Sequence, residues 1–522
     1  MKNENNIDYN FKERSKNKLF RIVFGRTLFL VLSLILQALF IILFTLWLQE
    51  YFIYFYAVYT LLSTVLCIHI GNNDTNASYK VVWIFLILSV PVFGSLFYVL
   101  IKIHPGMHII KKSIMDRIKE TQPYLKQSEE VTAELGNRND ELYGLSKYMN
   151  RFGGFPVYKN STIKYFPLGE DKFESLVEEL KKAKKFIFLE YYIVDEGIMW
   201  DTILEILISK AKQGVEVRFM YDGMCSVKLL PYNYPEIMKS VGINCKVFSP
   251  IRPAISSYQN NRDHRKICVI DGLVAYTGGV NLADEYINKL VKFGHWKDTA
   301  VMIKGEAVKS FTLMFLQTWN IYETQKENYE KYICNFKINS KGYVMPYGDN
   351  PFDKENVGEI VYMDILNNAK DYVYIMTPYL VLDNEMILSL EYAAKRGVDI
   401  KLILPHITDN PSAYSVARNL YPKLISRGIK IFEYTPGFVH AKTVVADHKK
   451  AVVGTINMDF RSMYLNMECA AYFQDMDEVN EVHNDFLETF KKCKEITLED
   501  CMKFNIFKRI WGRLLWIISP LM

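Results

Sequence analysis

The chain has 522 residues, with 63 Lys and Arg against 58 Asp and Glu and a formal net charge of +5. Its 50% hydrophobic and 14% aromatic content excludes disorder over most of its length, and that length accommodates a membrane region and two globular domains. The mildly basic balance favours anionic surfaces without choosing between lipid and nucleic acid. The 8 cysteines include no C-x-x-C pair, so they supply no zinc or redox signature and no evident disulfide framework.

Residues 1–26 form a basic tail carrying Lys12, Arg14, Lys16, Lys18, Arg21 and Arg26, with no cleavage site after it, and read as cytoplasmic. Residues 27–101 read as a membrane region. Three apolar runs, 27–48, 51–70 and 81–101, lack a polar stripe, and each is long enough to span a bilayer. Basic residues crowd both flanks, in the tail and again at Lys102, Lys111, Lys112, Arg117 and Lys119. The positive-inside rule then asks for an even number of crossings, whereas three runs give an odd one. The polar break at Gln49-Glu50 is the expected place for a hairpin that does not fully cross. Residues 102–160 are a linker of mixed helix and loop ending in Gly153-Gly154-Phe155-Pro156.

A domain-scale repeat follows, dividing the chain into 161–325 and 326–500. The segment Ala183-Lys184-Lys185-Phe186-Ile187-Phe188 corresponds to Ala369-Lys370-Asp371-Tyr372-Val373-Tyr374. Likewise Ala211-Lys212-Gln213-Gly214-Val215 corresponds to Ala394-Lys395-Arg396-Gly397-Val398. Each half alternates strands with helices that end at Gly, which predicts an α/β layered domain with a largely parallel sheet. Residues 501–522 place Lys508, Arg509 and Arg513 among Trp511, Leu514, Leu515 and Trp516. This basic amphipathic segment reads as an interfacial helix, or equally as a helix docked on the second domain.

Each half also carries one copy of H-x-K-x4-D followed by G-[GT]-x-N. The first is His264, Lys266, Asp271 and Gly278-Gly279-Val280-Asn281; the second is His440, Lys442, Asp447 and Gly454-Thr455-Ile456-Asn457. Residues two apart on a strand share a face, so each histidine and its lysine point the same way. Two imidazoles, two ammoniums and two amides suit a phosphate. One histidine serves as nucleophile, the other as acid for the leaving alkoxide, and the cations and amides (Asn281 and Asn457 as neutral donors) stabilise the phosphorane-like charge. As motif members Asp271 and Asp447 are counted with the catalytic residues, although Asp271-Gly272 is also a hairpin signal that points to turn geometry and an indirect role. His104, His108, His295 and His448 make no metal constellation, and no glycine-rich nucleotide loop precedes a helix, so no metal or cofactor is expected.

The paired motif, with Asn261-Arg262-Asp263 before the first copy and Met458-Asp459-Phe460-Arg461-Ser462 after the second, resembles the phospholipase D superfamily and its bacterial cardiolipin synthase branch. The resemblance implies two α/β/α layered domains in a pseudo-twofold arrangement behind an N-terminal membrane region. It also implies a phosphohistidine intermediate, with His264 as nucleophile and His440 as acid and base. A carboxylate downstream of each motif, here Asp298 and Glu468, would orient a histidine through its other nitrogen. The implied activity joins two phosphatidylglycerol molecules into cardiolipin and glycerol at the bacterial cell membrane. The enzyme would be multi-pass, with its catalytic domains on the cytoplasmic side. Anionic lipids are the expected partners, and no nucleic acid is. A phospholipase D using water, a nuclease of the same superfamily and a nonenzymatic scaffold are the alternatives.

Overall fold

The computed structural model describes residues 52–89, 94–95, 97–99, 105–138, 140–250 and 260–521, with isolated positions between 35 and 46. The basic tail and most of the first apolar run lie outside these residues. Helix α1 (Phe52–Gly71) occupies the second apolar run, and α2 (Ala77–Ser89) opens the third. That third run is not the unbroken span its hydropathy suggests. Gly94 and Ser95 are helical again but lie back against α2, where a Cβ on Gly94 would come within 2.6 Å of the Leu86 carbonyl oxygen. The intervening sequence contains Pro91, which has no backbone donor and disfavours helix in the residue before it. Among the described residues no helix is long and apolar enough to cross a membrane. Helix α3 (Pro105–Thr121) then leads into the catalytic body and packs on its first domain.

The first domain contains β1 (Ser161–Phe166), α4 (Gly169–Lys182), β2 (Phe186–Tyr191), α5 (Ile198–Lys212), β3 (Glu216–Asp222), β4 (Asn244–Phe248), β5 (Lys266–Ile270), β6 (Val274–Gly278), β7 (His295–Lys297), β8 (Ala300–Gly305) and α6 (Val308–Trp319). The second contains β9 (Tyr343–Asp349), α7 (Val357–Asn368), β10 (Tyr372–Met376), β11 (Leu380–Val381), α8 (Asn384–Lys395), β12 (Asp399–Pro405), α9 (Pro411–Ile425), β13 (Lys430–Tyr434), β14 (Gly437–Val439), β15 (Thr443–Ala446), β16 (Lys450–Gly454), β17 (Met458–Asp459), β18 (Glu468–Gln474), α10 (Glu478–Phe490) and β19 (Cys493–Ile496).

The first sheet runs β1-β8-β6-β5-β2-β3-β4, and the second, read in the same sense, runs β9-β18-β16-β15-β10-β12-β13-β19. Position for position the orders match, with β19 added at one edge, so the sequence repeat is a structural repeat. Both sheets are mixed rather than largely parallel. Parallel pairs occur only at β2–β3 and β3–β4, and at β10–β12 and β12–β13. The reason is local. Each motif strand, β5 or β15, reverses through a tight turn into β6 or β16, and a turn that short can join only antiparallel neighbours.

The domains close on each other through reciprocal backbone contacts. The His264 N–H donates to the Met467 carbonyl at 2.9 Å, and the His440 N–H donates to the Lys297 carbonyl at 2.8 Å. Strand β7 of the first domain pairs in parallel with β14 of the second. Helix α6 is buried along nearly its whole length beneath β5 of its own sheet and β9 of the other, so one apolar core is continuous across both domains. Burial on this scale, at roughly 25 cal/mol per Å2 of apolar surface, holds the two motifs in fixed register.

The C-terminal helix α11 (Ile506–Ile518) docks on the second domain along one face. Gly512 and Leu515 are buried against α9, while Phe507, Ile510, Trp511 and Leu514 remain exposed.

Candidate active site

The two motif strands end at one cavity of about 460 Å3, lined among others by His264, His440, Asn281, Asn457, Tyr192 and Arg461. Both histidines are nine-tenths buried, and each is anchored through Nδ1. His264 Nδ1 lies 2.9 and 3.0 Å from the two Glu468 oxygens, and His440 Nδ1 lies 2.7 Å from Asp298 Oδ2. The pairs are crossed. The carboxylate after the second motif holds the first histidine, and the carboxylate after the first motif holds the second. Neither dyad forms within one domain, which makes the site a property of the interface.

Burial pushes the His264 imidazole down to about 4, against the opposing pull of Glu468. His440 is driven well below the usual histidine range by burial and then by the Lys442 and Lys266 ammoniums. The carboxylates differ. Burial raises Asp298 to about 7 in spite of Lys442. Burial also acts on Glu468, but His264, Lys266 and the Thr455 hydroxyl outweigh it and hold that carboxyl below its usual range. Neutral donors add to the pull of His264 and Lys266 on Glu468. Thr455 Oγ1 donates to Glu468 Oε2, and Asn466 Nδ2 donates to Oε1 at 3.2 Å. Asp298 receives a backbone bond from Thr299 N at 2.8 Å.

Lys266 and Lys442 are buried beneath the histidines rather than lining the cavity. Lys266 Nζ donates to the His264 carbonyl at 2.5 Å, and Lys442 Nζ donates to the His440 carbonyl. Burial lowers them to about 8 and about 7 respectively. Asn281 lines the cavity with both ends engaged, accepting from Ile193 N at 3.0 Å and donating to Tyr286 Oη at 2.7 Å. Asn457 Oδ1 has no hydrogen-bond partner.

Asp271 and Asp447 lie elsewhere, and their inclusion among reacting groups is corrected. Five residues of strand, roughly 16 Å, separate each from its motif lysine. Asp271 accepts backbone N–H bonds from Lys184, Lys185 and Phe186 at 2.8, 2.7 and 2.9 Å. Asp447 accepts from Lys370, Asp371 and Tyr372 at 2.8, 2.9 and 2.9 Å. They clamp the start of β2 and of β10. His295 bonds Tyr434 Oη at 3.1 Å outside the cavity, and His448 is an exposed turn residue.

Several cavity features had no signal in the motif. Tyr192 and Tyr286 set their rings edge-on to His264 and His440, with centroids 4.9 and 5.4 Å apart. Arg461 is fixed by the Asn260 carbonyl at 3.1 Å and Oδ1 at 2.7 Å. The G-[GT] step of the motif signals the Thr455 contact only once the crossing is known. Gly279 takes the equivalent place in the first motif, where a Cβ would come within 2.8 Å of Asp298 Cγ.

A duplicated mixed α/β domain whose halves exchange histidine–carboxylate dyads across one cavity is the architecture of a phospholipase D-type phosphoryl-transfer site. The cardiolipin synthase phospholipase D-like domain family matches residues 176–319 and 362–490, and a phospholipase D-nuclease N-terminal family matches residues 53–102. An uncharacterized protein of Streptococcus mutans serotype c is 47% identical over 87% of this chain and 99% of its own. Cardiolipin synthases of Alkalihalophilus pseudofirmus and Geobacillus kaustophilus are 31% and 33% identical, over 89% and 87% of this chain and 93% and 91% of theirs. In fold, the chain resembles phosphatidylserine synthase from Haemophilus influenzae Rd KW20, with a TM-score of 0.54 and 12% identity over 69% of this chain and 95% of that one. The chain belongs to the bacterial cardiolipin synthase family of the phospholipase D superfamily and is a phospholipid phosphatidyltransferase.

Proposed function

We propose that the protein condenses two phosphatidylglycerol molecules into cardiolipin and glycerol at the bacterial membrane, through a phosphatidyl-histidine intermediate. The observation that carries this reading is the pair of crossed dyads facing a single cavity from opposite domains. Such a site offers one imidazole for attack and one for proton transfer. With Glu468 ionised, His264 donates Nδ1–H to it and keeps a lone pair on Nε2. With Asp298 near 7, the second dyad holds an additional proton at neutral pH, so Asp298 donates to Nδ1 and His440 carries hydrogen on Nε2.

His264 Nε2 attacks the phosphorus of the first lipid. The bond from phosphorus to the headgroup glycerol oxygen breaks, and His440 delivers its Nε2 proton to that oxygen as the Asp298 proton moves to Nδ1. Glycerol leaves. A hydroxyl of the second lipid's glycerol then gives its proton to His440, its oxygen attacks phosphorus, and the phosphorus–nitrogen bond breaks to release cardiolipin. The buried Lys266 and Lys442 favour the anionic phosphate by proximity, and Asn281 and Asn457 orient it. The apolar run before residue 52 and the apolar helices after it support a membrane location, with the catalytic domains on the cytoplasmic side where the flanking basic residues collect.

The test is purified full-length protein with labelled phosphatidylglycerol, scoring cardiolipin, glycerol and phosphatidic acid together. Cardiolipin with equimolar glycerol, lost in His264→Ala and His440→Ala, is the expected result. Phosphatidic acid as the main product would make water the acceptor and overturn the transferase chemistry.

A further inference from the structure

The exposed face of α11 and helix α2 belong to one surface, and that surface leads to the cavity. Ser95 Oγ bonds Ser63 Oγ of α1 at 2.7 Å, and the Tyr98 ring packs on Trp83 of α2 at 5.1 Å. The segments on either side are held at the catalytic body. Before α2, Asn76 Nδ2 donates to Asp383 Oδ2 at 3.1 Å and to Tyr464 Oη at 2.9 Å. Beyond it, α3 packs on α6, with Ser113 bonding the Ile321 carbonyl. Along α2, Val81, Phe85 and Leu88 face outward.

Helix α11 supplies the adjoining part. Gly512 sits where a Cβ would come within 2.5 Å of the Ser415 carbonyl oxygen, so the docked face is held close to α9. The opposite face exposes Phe507 (77%), Ile510, Trp511 (55%), Leu514, Ile517 and Ile518. By helical period, Arg513 borders the apolar face, and Lys508 and Arg509 lie nearer the docked one. The following turn, Ser519–Leu521, packs against α2, and Ser519 itself lines the cavity. Between α11 and the cavity lies a single apolar layer in which Leu515 and Trp516 meet Val381, Ala413 and Phe460, three residues that also line the cavity wall.

We propose that α11 lies in the headgroup–acyl boundary of an anionic phospholipid bilayer, and that the turn after it, packed against α2, is the rim over which a lipid reaches the cavity. The charge distribution selects the occupant. An apolar face bordered by cations matches anionic headgroups above acyl chains. Ser519 of that turn lines the cavity, so a phosphodiester at headgroup level reaches the histidines while its chains remain in lipid. The proposal rests on the lipid-substrate reading above.

The experiment uses the full chain in nanodiscs containing phosphatidylglycerol, comparing wild type with the triple variant Phe507→Gln, Trp511→Gln, Leu514→Gln. None of these residues lines the catalytic cavity, only Trp511 borders the groove against α9, and Gln keeps the helix. Turnover in the bilayer is expected to fall at least tenfold, while turnover of a short-chain phosphatidylglycerol below its micelle concentration stays within twofold. Bilayer turnover within twofold of wild type, or an equal loss on both substrates, would overturn the proposal. Should wild type turn over neither substrate, the functional reading falls. The position of α11 is then read without turnover, from quenching of tryptophan fluorescence by brominated lipids in wild type minus Trp511→Phe. Quenching strongest with bromine just below the headgroup supports the boundary location, and no quenching at any depth refutes it.

Discussion

The two halves of the site are the same in plan and different in proton inventory. Both pair a histidine Nδ1 with a buried carboxylate from the other domain, both place a lysine beneath the imidazole, and both derive from one repeated strand order. Yet Glu468 is held below the usual carboxylate range while Asp298 is raised to about 7. Burial acts on both, and on Glu468 it is outweighed by His264, then Lys266, with a further contribution from the Thr455 hydroxyl that replaces Gly279 of the other half. Duplication supplied two equivalent dyads, and under the proposed mechanism the side-chain difference at the G-[GT] step helps to set apart an attacking imidazole from one with a proton to deliver.

The largest expected effect breaks the symmetry outright. His264→Ala and His440→Ala should each lower cardiolipin formation by about 10^2 to 10^4-fold or more, the range for losing an acid, base or nucleophile. A phosphatidyl ester of p-nitrophenol separates them, because that leaving group needs no proton. His440→Ala should release nitrophenol at near the wild-type rate and accumulate an acid-labile phosphate adduct on His264, while His264→Ala should do neither. An adduct on residue 440 would reverse the roles.

The next effect concerns pH. Loss of the Asp298 proton disables the acid form, so headgroup release should fall as pH rises through about 7. Lys442, lowered to about 7 by burial, loses its charge in the same window and steepens that fall. Asp298→Asn should lower the rate about a hundredfold and reduce the limb from two protons to one. Glu468→Gln should cost a similar factor without changing the slope of that limb. A wild-type profile still rising at pH 9 would contradict the proton inventory.

How much of this was legible in the sequence depends on the range of the interaction. The residue types came directly from the repeated motif, and Asp298 and Glu468 from the resemblance to the phospholipase D superfamily. Their crossed partners did not, because the crossing is created by domain closure, through bonds such as His264 N to the Met467 carbonyl that join residues about two hundred positions apart. Sheet direction failed for the opposite reason. The Asp271-Gly272 turn signal was present, but alternation of strands and helices was given more weight than the hairpin that makes β5 and β6 antiparallel. Hydropathy likewise carries no sign of the close approach of Gly94 to Leu86 within the third apolar run.

Thr455→Gly is a finer test, because it makes the second half resemble the first. Removing the hydroxyl takes a charge-assisted bond from Glu468, worth roughly 1.5 kcal/mol or more. Glu468 should then titrate higher, and the acid limb of the pH profile should move up with it. Near the new midpoint the rate should drop about twofold, and below it by up to about tenfold, while the rate at high pH is preserved. An unmoved acid limb would mean that the Thr455 hydroxyl does not add to the difference between the dyads.

The smallest effect on catalysis should come from the residues in which the halves do not differ. Asp271 and Asp447 each accept three backbone N–H bonds from a left-handed conformation, with φ of 56° and 53°. Replacement by Ala strands those donors and removes the side-chain bonds that offset a left-handed conformation costing about 1–2 kcal/mol, so each variant should lose about 2–4 kcal/mol of stability. Asn tolerates that conformation and keeps one acceptor oxygen, so Asp271→Asn and Asp447→Asn should lose about half as much. Chemical denaturation reads these losses, and kcat on the folded fraction should remain within twofold of wild type. If one Asp→Asn variant lost catalysis while keeping its stability, the turn on that side would be coupled to its histidine, and the halves would differ at both ends of the motif strand rather than at the dyad alone.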